Sequence, residues 1–180
     1  MASTFLDGRL TIKVGDLTEE NVDVIVNAAN WTLLGGGGVD GAIHRRGGPE
    51  IYNACKRLRE TELPAGLPTG QAVITPAGKL PSRFVIHTVG PVYGQNDGRD
   101  AELLADSYRN SLCLAVQEGL TSIAFPSIST GAFGYPKHEA APIVASTIRT
   151  ELDLLPSTME VTLVFFSESD AETFVKYSNL

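Results

Sequence analysis

Residues 22–26 read Val-Asp-Val-Ile-Val, an apolar β-branched run interrupted only by Asp23. β-branched side chains favour an extended backbone and pack well on a pleated surface. A run with almost no polar alternation is covered on both faces, as in a central strand of a parallel sheet. Parallel neighbours need long crossovers, usually helices, so this segment points to an α/β architecture. The rest of the chain agrees. Residues 10–14 alternate with period two and stop at Gly15-Asp16; 73–74, 84–89, 122–125 and 161–166 are further apolar, strand-like stretches. Between them, residues 39–46, 49–60, 100–118, 136–154 and 171–177 carry helical periodicity, Pro49 fitting a first turn and Gly119 a helix end. Strands alternating with helices predict a three-layer α/β domain, and with no linker or internal repeat the 180 residues read as a single domain.

Composition narrows the function classes. The chain has 14 Lys and Arg against 21 Asp and Glu, and no basic run beyond Arg45-Arg46. Non-specific nucleic-acid binding needs a basic stripe, so no nucleic-acid partner is expected. Two cysteines, Cys55 and Cys113, make neither a disulfide framework nor a cysteine zinc site. No signal-peptide pattern, myristoylation signal or span of about 18 apolar residues is seen, so the expectation is a cytoplasmic protein without a membrane partner.

The polar residues concentrate at strand ends, where α/β sheets bind ligands. The strand at 22–26 runs into Asn27-Ala28-Ala29-Asn30, followed by Gly35-Gly36-Gly37-Gly38-Val39-Asp40-Gly41. This formally satisfies the dinucleotide pattern G-x-G-x-x-G, but residues 31–34 intervene after the strand and four consecutive glycines match by accident. What remains is physical: amides without side chains approach a ligand closely, here at the start of a helix. Ser127-Ile128-Ser129-Thr130-Gly131 has the same character after the strand at 122–125. Neither loop carries Lys or Arg, and Asp40 is the only charge between Asn27 and Ile43. Such loops suit a diphosphate held by neutral amides, with the Gly131 N–H expected in a conformation that favours glycine.

Asn30 and Asp40 are the sharpest pair. An amide after a strand orients a hydroxyl or water through donor and acceptor; a carboxylate at a helix start either polarises water or caps the helix. Asp16 either caps the turn at 18–20, the better reading of the residues alone, or accepts from an exocyclic amine. Trp31 is a loop anchor or a ligand contact. His44 lies one turn after Asp40, His87 inside a strand as a core histidine, and His138 at a helix start; no metal-binding spacing, G-x-S-x-G elbow or Walker A sequence occurs.

Taken in order, Gly15-Asp16-Leu17, the VIVNAAN of 24–30, the GGGGVDGAI of 35–43, His87-Thr88-Val89-Gly90-Pro91 and the PSISTGAFGYP of 126–136 resemble the macrodomain family, specifically its MacroD-type branch, from Leu10 to about Phe166. The resemblance implies a mixed, mostly parallel six-stranded sheet between helices, with ADP-ribose in a cleft at the sheet's edge and no cofactor. It implies hydrolysis of mono-ADP-ribose esters of Asp and Glu in proteins, and of O-acetyl-ADP-ribose. By the same resemblance Asp16 and Leu17 lie at adenine, with Asp16 accepting from its amine and Phe166 packing on its face. Gly37, Gly38 and Val39 with Ser127, Ser129, Thr130, Gly131 and Ala132 surround the diphosphate. Asn30 and Asp40 match the pair at the distal ribose, where Phe133 packs in place of the tyrosine of many relatives. The glutamate pair of poly-ADP-ribose glycohydrolases and the Cys/His cluster of zinc-dependent macrodomains are missing. The other functions in view are an ADP-ribose reader without catalysis, an ADP-ribose 1″-phosphate phosphatase and, more distantly, a Rossmann oxidoreductase.

Overall fold

The computed structural model describes residues 2–180. Its strands are β1 (Ala2–Phe5), β2 (Leu10–Val14), β3 (Val24–Ala28), β4 (Ala72–Pro76), β5 (Phe84–Thr88), β6 (Ser122–Phe125) and β7 (Glu160–Phe165). The helices are α1 (Gly38–Gly47), α2 (Pro49–Thr61), α3 (Asp100–Gln117), α4 (Lys137–Leu154) and α5 (Glu168–Ser178), with a 3-10 turn at Leu17–Glu19. One sheet of order β1-β2-β7-β6-β3-β5-β4 holds all the strands. The pairs β2·β7, β7·β6, β6·β3 and β3·β5 are parallel; β1·β2 and β4·β5 are antiparallel.

The sheet has seven strands where six are expected. The added one is β1, a short edge strand joined to β2 by a turn in which Leu6 and Asp7 both have positive φ, 52° and 56°. That is the backbone of a hairpin turn, and Asp7-Gly8 is its sequence signal. β3 begins at Val24, two residues later than the apolar run suggests, because Asp23 has another task. Its carboxylate accepts from Thr121 N at 2.9 Å and Ser122 N at 3.3 Å, tying β3 to β6 at their amino ends. Those backbone hydrogen bonds, led by Thr121, hold the Asp23 carboxyl below its usual range.

Alternation on β3 and β5 sorts the core into two. Val24, Val26 and Ile86 face α3, α4 and α5 in one apolar cluster, with Leu112, Ile148 and Phe174. Ile25 and Val85 face α1 and α2 in the other, with Ile43, Ile51 and Cys55. The sheet is therefore the middle of three layers. Among the described residues, no helix is long and apolar enough to cross a membrane.

Candidate active site

The polar segments converge because topology places them together. Residues 15–17 follow β2, 29–41 follow β3, whose last residues are Asn27 and Ala28, 126–136 follow β6, and Phe166 follows β7; these four strands are adjacent and parallel. From the neighbours β3 and β6 the chain departs to opposite faces, into α1 and α4. Such a switch point opens a crevice beyond the carboxyl ends of the strands.

Gly37 caps α1 with no side-chain hydrogen bond, so the first-turn amides are left to solvent or ligand. Asp40 is the third residue of that helix and is buried, 5% exposed. Capping, one of its two readings from sequence, is not its role. Its Oδ1 accepts instead from Asn27 Nδ2 at 2.8 Å, and His44 Nε2 approaches the same oxygen to 3.4 Å. The other oxygen, Oδ2, faces Gly36. A Cβ on Gly36 would lie 3.0 Å from Asp40 Oδ2 and 3.2 Å from Asn30 Nδ2, so both functional groups meet at one glycine.

Asn30 also shapes the loop that brings it there. Its Oδ1 accepts from Thr32 N at 3.0 Å and from the Thr32 hydroxyl, and its Nδ2 donates to Gly35 O at 2.9 Å. One N–H of the amide remains for a ligand.

Beneath Asp40 lies a polar chain absent from the sequence reading. Asn27 and His87 are register partners on β3 and β5 and point to the α1 side. Asn27 Nδ2 contacts His87 Nδ1 at 3.1 Å, and His87 Nε2 contacts Thr75 Oγ1 at 2.9 Å. Since an amide nitrogen only donates, His87 Nδ1 accepts and its proton sits on Nε2, directed at Thr75. Burial pulls the His87 imidazole down to about 3 from 6.5, with His44 adding to the shift and Asp40 opposing it. The neutral ring thus fixes the amide that fixes the carboxylate. The Cys55 thiol beside it is pushed up to about 12, first by burial and then by Asp40, which makes it a poor nucleophile.

A buried neutral histidine makes stability depend on pH. Below 6.5 the unfolded chain takes up a proton that native His87 refuses until about 3, so stability falls as pH drops through that window. Urea unfolding at pH 7 and pH 5 should show this loss, and His87→Gln should reduce it. An unchanged pH dependence in the variant would mean that His87 does not stay neutral in the native state.

The loop after β6 supplies a second set of donors. Among the described residues, the N–H groups of Ser129, Thr130, Gly131 and Ala132 take no backbone acceptor. The strained residue is not Gly131, whose φ lies outside the left-handed region and whose missing Cβ would meet open space; it is Ser129, at φ 67°. Gly90 makes room for it. A Cβ there would fall 2.2 Å from Ser129 Oγ, so the loop presses its serine into the gap that Gly90 leaves. Ser129 Oγ is consequently buried without a partner, and what this residue offers a ligand is its backbone. Ser127 and Thr130 pair through their hydroxyls.

At the other end of the crevice, Asp16 Oδ1 accepts from Thr18 N at 2.9 Å and Thr18 Oγ1 at 2.6 Å, the cap favoured by its residue pattern. The Thr18 hydroxyl, more than the charge of Arg46, lowers its pKa. Oδ2 is left toward Arg46 Nη2 at 3.6 Å. The Leu17 side chain is core, so only its backbone can meet a ligand. Phe166 is 94% exposed just past the carboxyl end of β7. Phe133 is half-buried and its carbonyl accepts from Tyr93 N at 2.9 Å. Trp31 is a loop anchor with one free side: Arg59 stacks on its ring at 5.3 Å and Gly66 packs against it. Among the described residues, no group of three or more His, Cys, Asp or Glu is placed to hold a metal.

With this geometry in view, comparison with known proteins is decisive. A family model described as Macro domain matches residues 26–144, which span β3, the glycine run and the loop after β6. The chain belongs to the macro domain family. This macro domain is 49% identical to a protein of Citrobacter koseri named O-acetyl-ADP-ribose deacetylase, over 97% of this chain and 96% of that one. A macro domain-containing protein of Streptomyces griseus is 52% identical over 92% of this chain and 90% of its own. Among solved structures, the Oceanobacillus iheyensis macrodomain with ADP superposes at a TM-score of 0.94 and 48% identity, covering 99% of this chain and 95% of that one. A Trypanosoma brucei macrodomain in complex with ADP-ribose gives 0.83 and 37%, covering 94% of this macro domain and 68% of that chain.

Proposed function

We propose that this macro domain binds ADP-ribose and hydrolyses its esters: O-acetyl-ADP-ribose, and mono-ADP-ribose attached to Asp or Glu of proteins. The observation that carries this reading is the convergence of Asp40 Oδ2 and Asn30 Nδ2 at Gly36, beside an uncapped helix start. Relatives named O-acetyl-ADP-ribose deacetylase at 49% and 50% identity support it, as do the macrodomain structures holding ADP and ADP-ribose.

In this reading adenine lies between Asp16, the Leu17 backbone and Phe166. The diphosphate takes the amides of Gly37, Gly38 and Val39 from one side and the segment Ser127, Ser129, Thr130, Gly131 and Ala132 from the other. The distal ribose meets Asn30, Asp40 and Phe133. For a protein ester, water held by Asp40 Oδ2, Asn30 and the substrate's own phosphate attacks C1″. The C1″–O bond breaks, the Asp or Glu carboxylate leaves with the bonding electrons, and the proton of water passes to Asp40 or solvent. A carboxylate leaving group needs little acid assistance, which suits a centre with no strong acid. An arginine-linked N-glycoside, with its poorer leaving group, should resist.

Binding by amides and not by cations has its own signature. ADP-ribose affinity should change less than about tenfold from low to high ionic strength, since the diphosphate is met by neutral dipoles; a steeper loss in a calorimetric titration would contradict this ligand placement. The function itself is tested by incubating the protein with O-acetyl-ADP-ribose and with ADP-ribose 1″-phosphate. Acetate release without phosphate release is expected. Phosphate release alone would make it a phosphatase, and tight binding with neither product a reader.

A further inference from the structure

Gly36 is a wall with two sides. On one, its Cα looks at Asp40 Oδ2 and Asn30 Nδ2; on the other, its carbonyl lies over Gly41 of α1. A Cβ on Gly41 would fall 2.6 Å from Gly36 O and 2.9 Å from Arg45 Nη1. Glycine at 41 therefore lets both the loop and the Arg45 side chain lie close against the helix. Behind this wall opens a cleft of about 500 Å³ between the glycine loop and the first turn of α2, lined by Leu34, Gly36, His44, Arg45 and Tyr52 among others. It shares Gly36 with the Asn30–Asp40 centre, so it begins one residue away from the reacting end of the ligand.

The charge of this cleft is opposite to that of the molecule. The chain carries 21 acidic and 14 basic residues, yet no carboxylate lines the cleft and Arg45 is its one permanent charge. Lys79 stands at the lip, its Cδ 3.7 Å from where a Gly48 Cβ would be. Seven of the 14 lysines and arginines are held in ion pairs; among the described residues, Arg45 and Lys79 belong to the seven that are not. Two exposed large side chains also line the cleft, Leu34 at 39% and Tyr52 at 41%. Unpaired cations beside exposed apolar and aromatic side chains are the composition of a peptide-binding surface with a preference for anions.

We propose that this cleft is the subsite for the protein part of the substrate, and that it takes an acidic peptide segment flanking the ADP-ribosylated Asp or Glu. The inference rests on the ester-hydrolase reading above: the leaving carboxylate departs from the distal ribose, and in this proposal the chain that carries it passes over Gly36, which the centre and the cleft share. Acetate, having no such chain, never reaches the cleft.

The test compares three substrates on the wild type and on the double variant Arg45→Glu with Lys79→Glu. They are O-acetyl-ADP-ribose, a glutamate-linked ADP-ribosyl peptide with Asp and Glu flanks, and the same peptide with Ser and Ala flanks. In the wild type, kcat/KM for the acidic peptide should exceed that for the neutral one roughly tenfold at low salt, and the advantage should shrink as salt screens it. The double variant should lose the advantage while its rate on O-acetyl-ADP-ribose stays unchanged. Equal rates on both peptides in the wild type, or a preference that survives in the variant, would overturn the proposal. No turnover of O-acetyl-ADP-ribose or of either peptide would overturn the hydrolase reading, and the substrate role of the cleft with it.

Discussion

Replacing Asp40 by alanine should slow cleavage of a glutamate-linked ADP-ribosyl ester at least roughly tenfold, about 1.4 kcal/mol of barrier, while ADP-ribose affinity changes by less. The carboxylate is buried and oriented by Asn27, and only Oδ2 faces the glycine where Asn30 also points. In the proposed mechanism it holds attacking water, an interaction felt mainly in the transition state. In the same reading ground-state affinity comes from contacts with adenine and diphosphate elsewhere, and one anion fewer beside an anionic ligand does not weaken them. The variant should also lose stability, but not as a lost helix cap. Asn27 Nδ2 is left in the interior with His87 as its remaining partner, a loss of about 1–3 kcal/mol. Single-turnover release, calorimetric binding and melting, measured together, separate these effects. Unchanged turnover would leave Asp40 a structural residue, and equal losses of rate and affinity would make it a binding residue.

A larger effect is expected at Gly36. In Gly36→Val the first added carbon already sits 3.0 Å from Asp40 Oδ2 and 3.2 Å from Asn30 Nδ2, and the two methyls beyond it crowd the place proposed for the attacking water. Gly36 is not in the left-handed region, so the backbone accepts valine and the damage stays local. Activity should fall at least roughly 100-fold, with Gly36→Ala intermediate, while the melting temperature changes little. Near-wild-type turnover by a folded Gly36→Val would place the reacting centre away from this glycine.

Hydrophobic period and punctuation carry far along this chain; long-range register does not. Element type was legible wherever hydrophobic period and punctuation agreed, as in β3, α3 and α4. It was not at β1, where two exposed and two half-buried residues at a sheet edge carry too short a hydrophobic signal and only Asp7-Gly8 marks the hairpin. α5 starts three residues earlier than its apolar periodicity because Ser167 accepts from Asp170 N, a cap-and-acid spacing visible beforehand. The candidate residues at strand ends were legible because parallel sheets bind there. What holds them was not. Asn27 reaches Asp40 across 13 residues and His87 across 60, contacts set by strand register and not by local spacing. The same holds for Gly90, which makes room for the Ser129 side chain from another strand's end.

The central claim is that the Asn30–Asp40 centre cleaves ADP-ribosyl esters. It is tested most directly by giving the wild-type protein a glutamate-linked mono-ADP-ribosylated protein and following both products by mass. Free ADP-ribose and the unmodified protein should appear together, with an arginine-linked control left intact. Persistence of the glutamate-linked conjugate, in a sample that still binds ADP-ribose, would contradict the claim and leave the protein a reader.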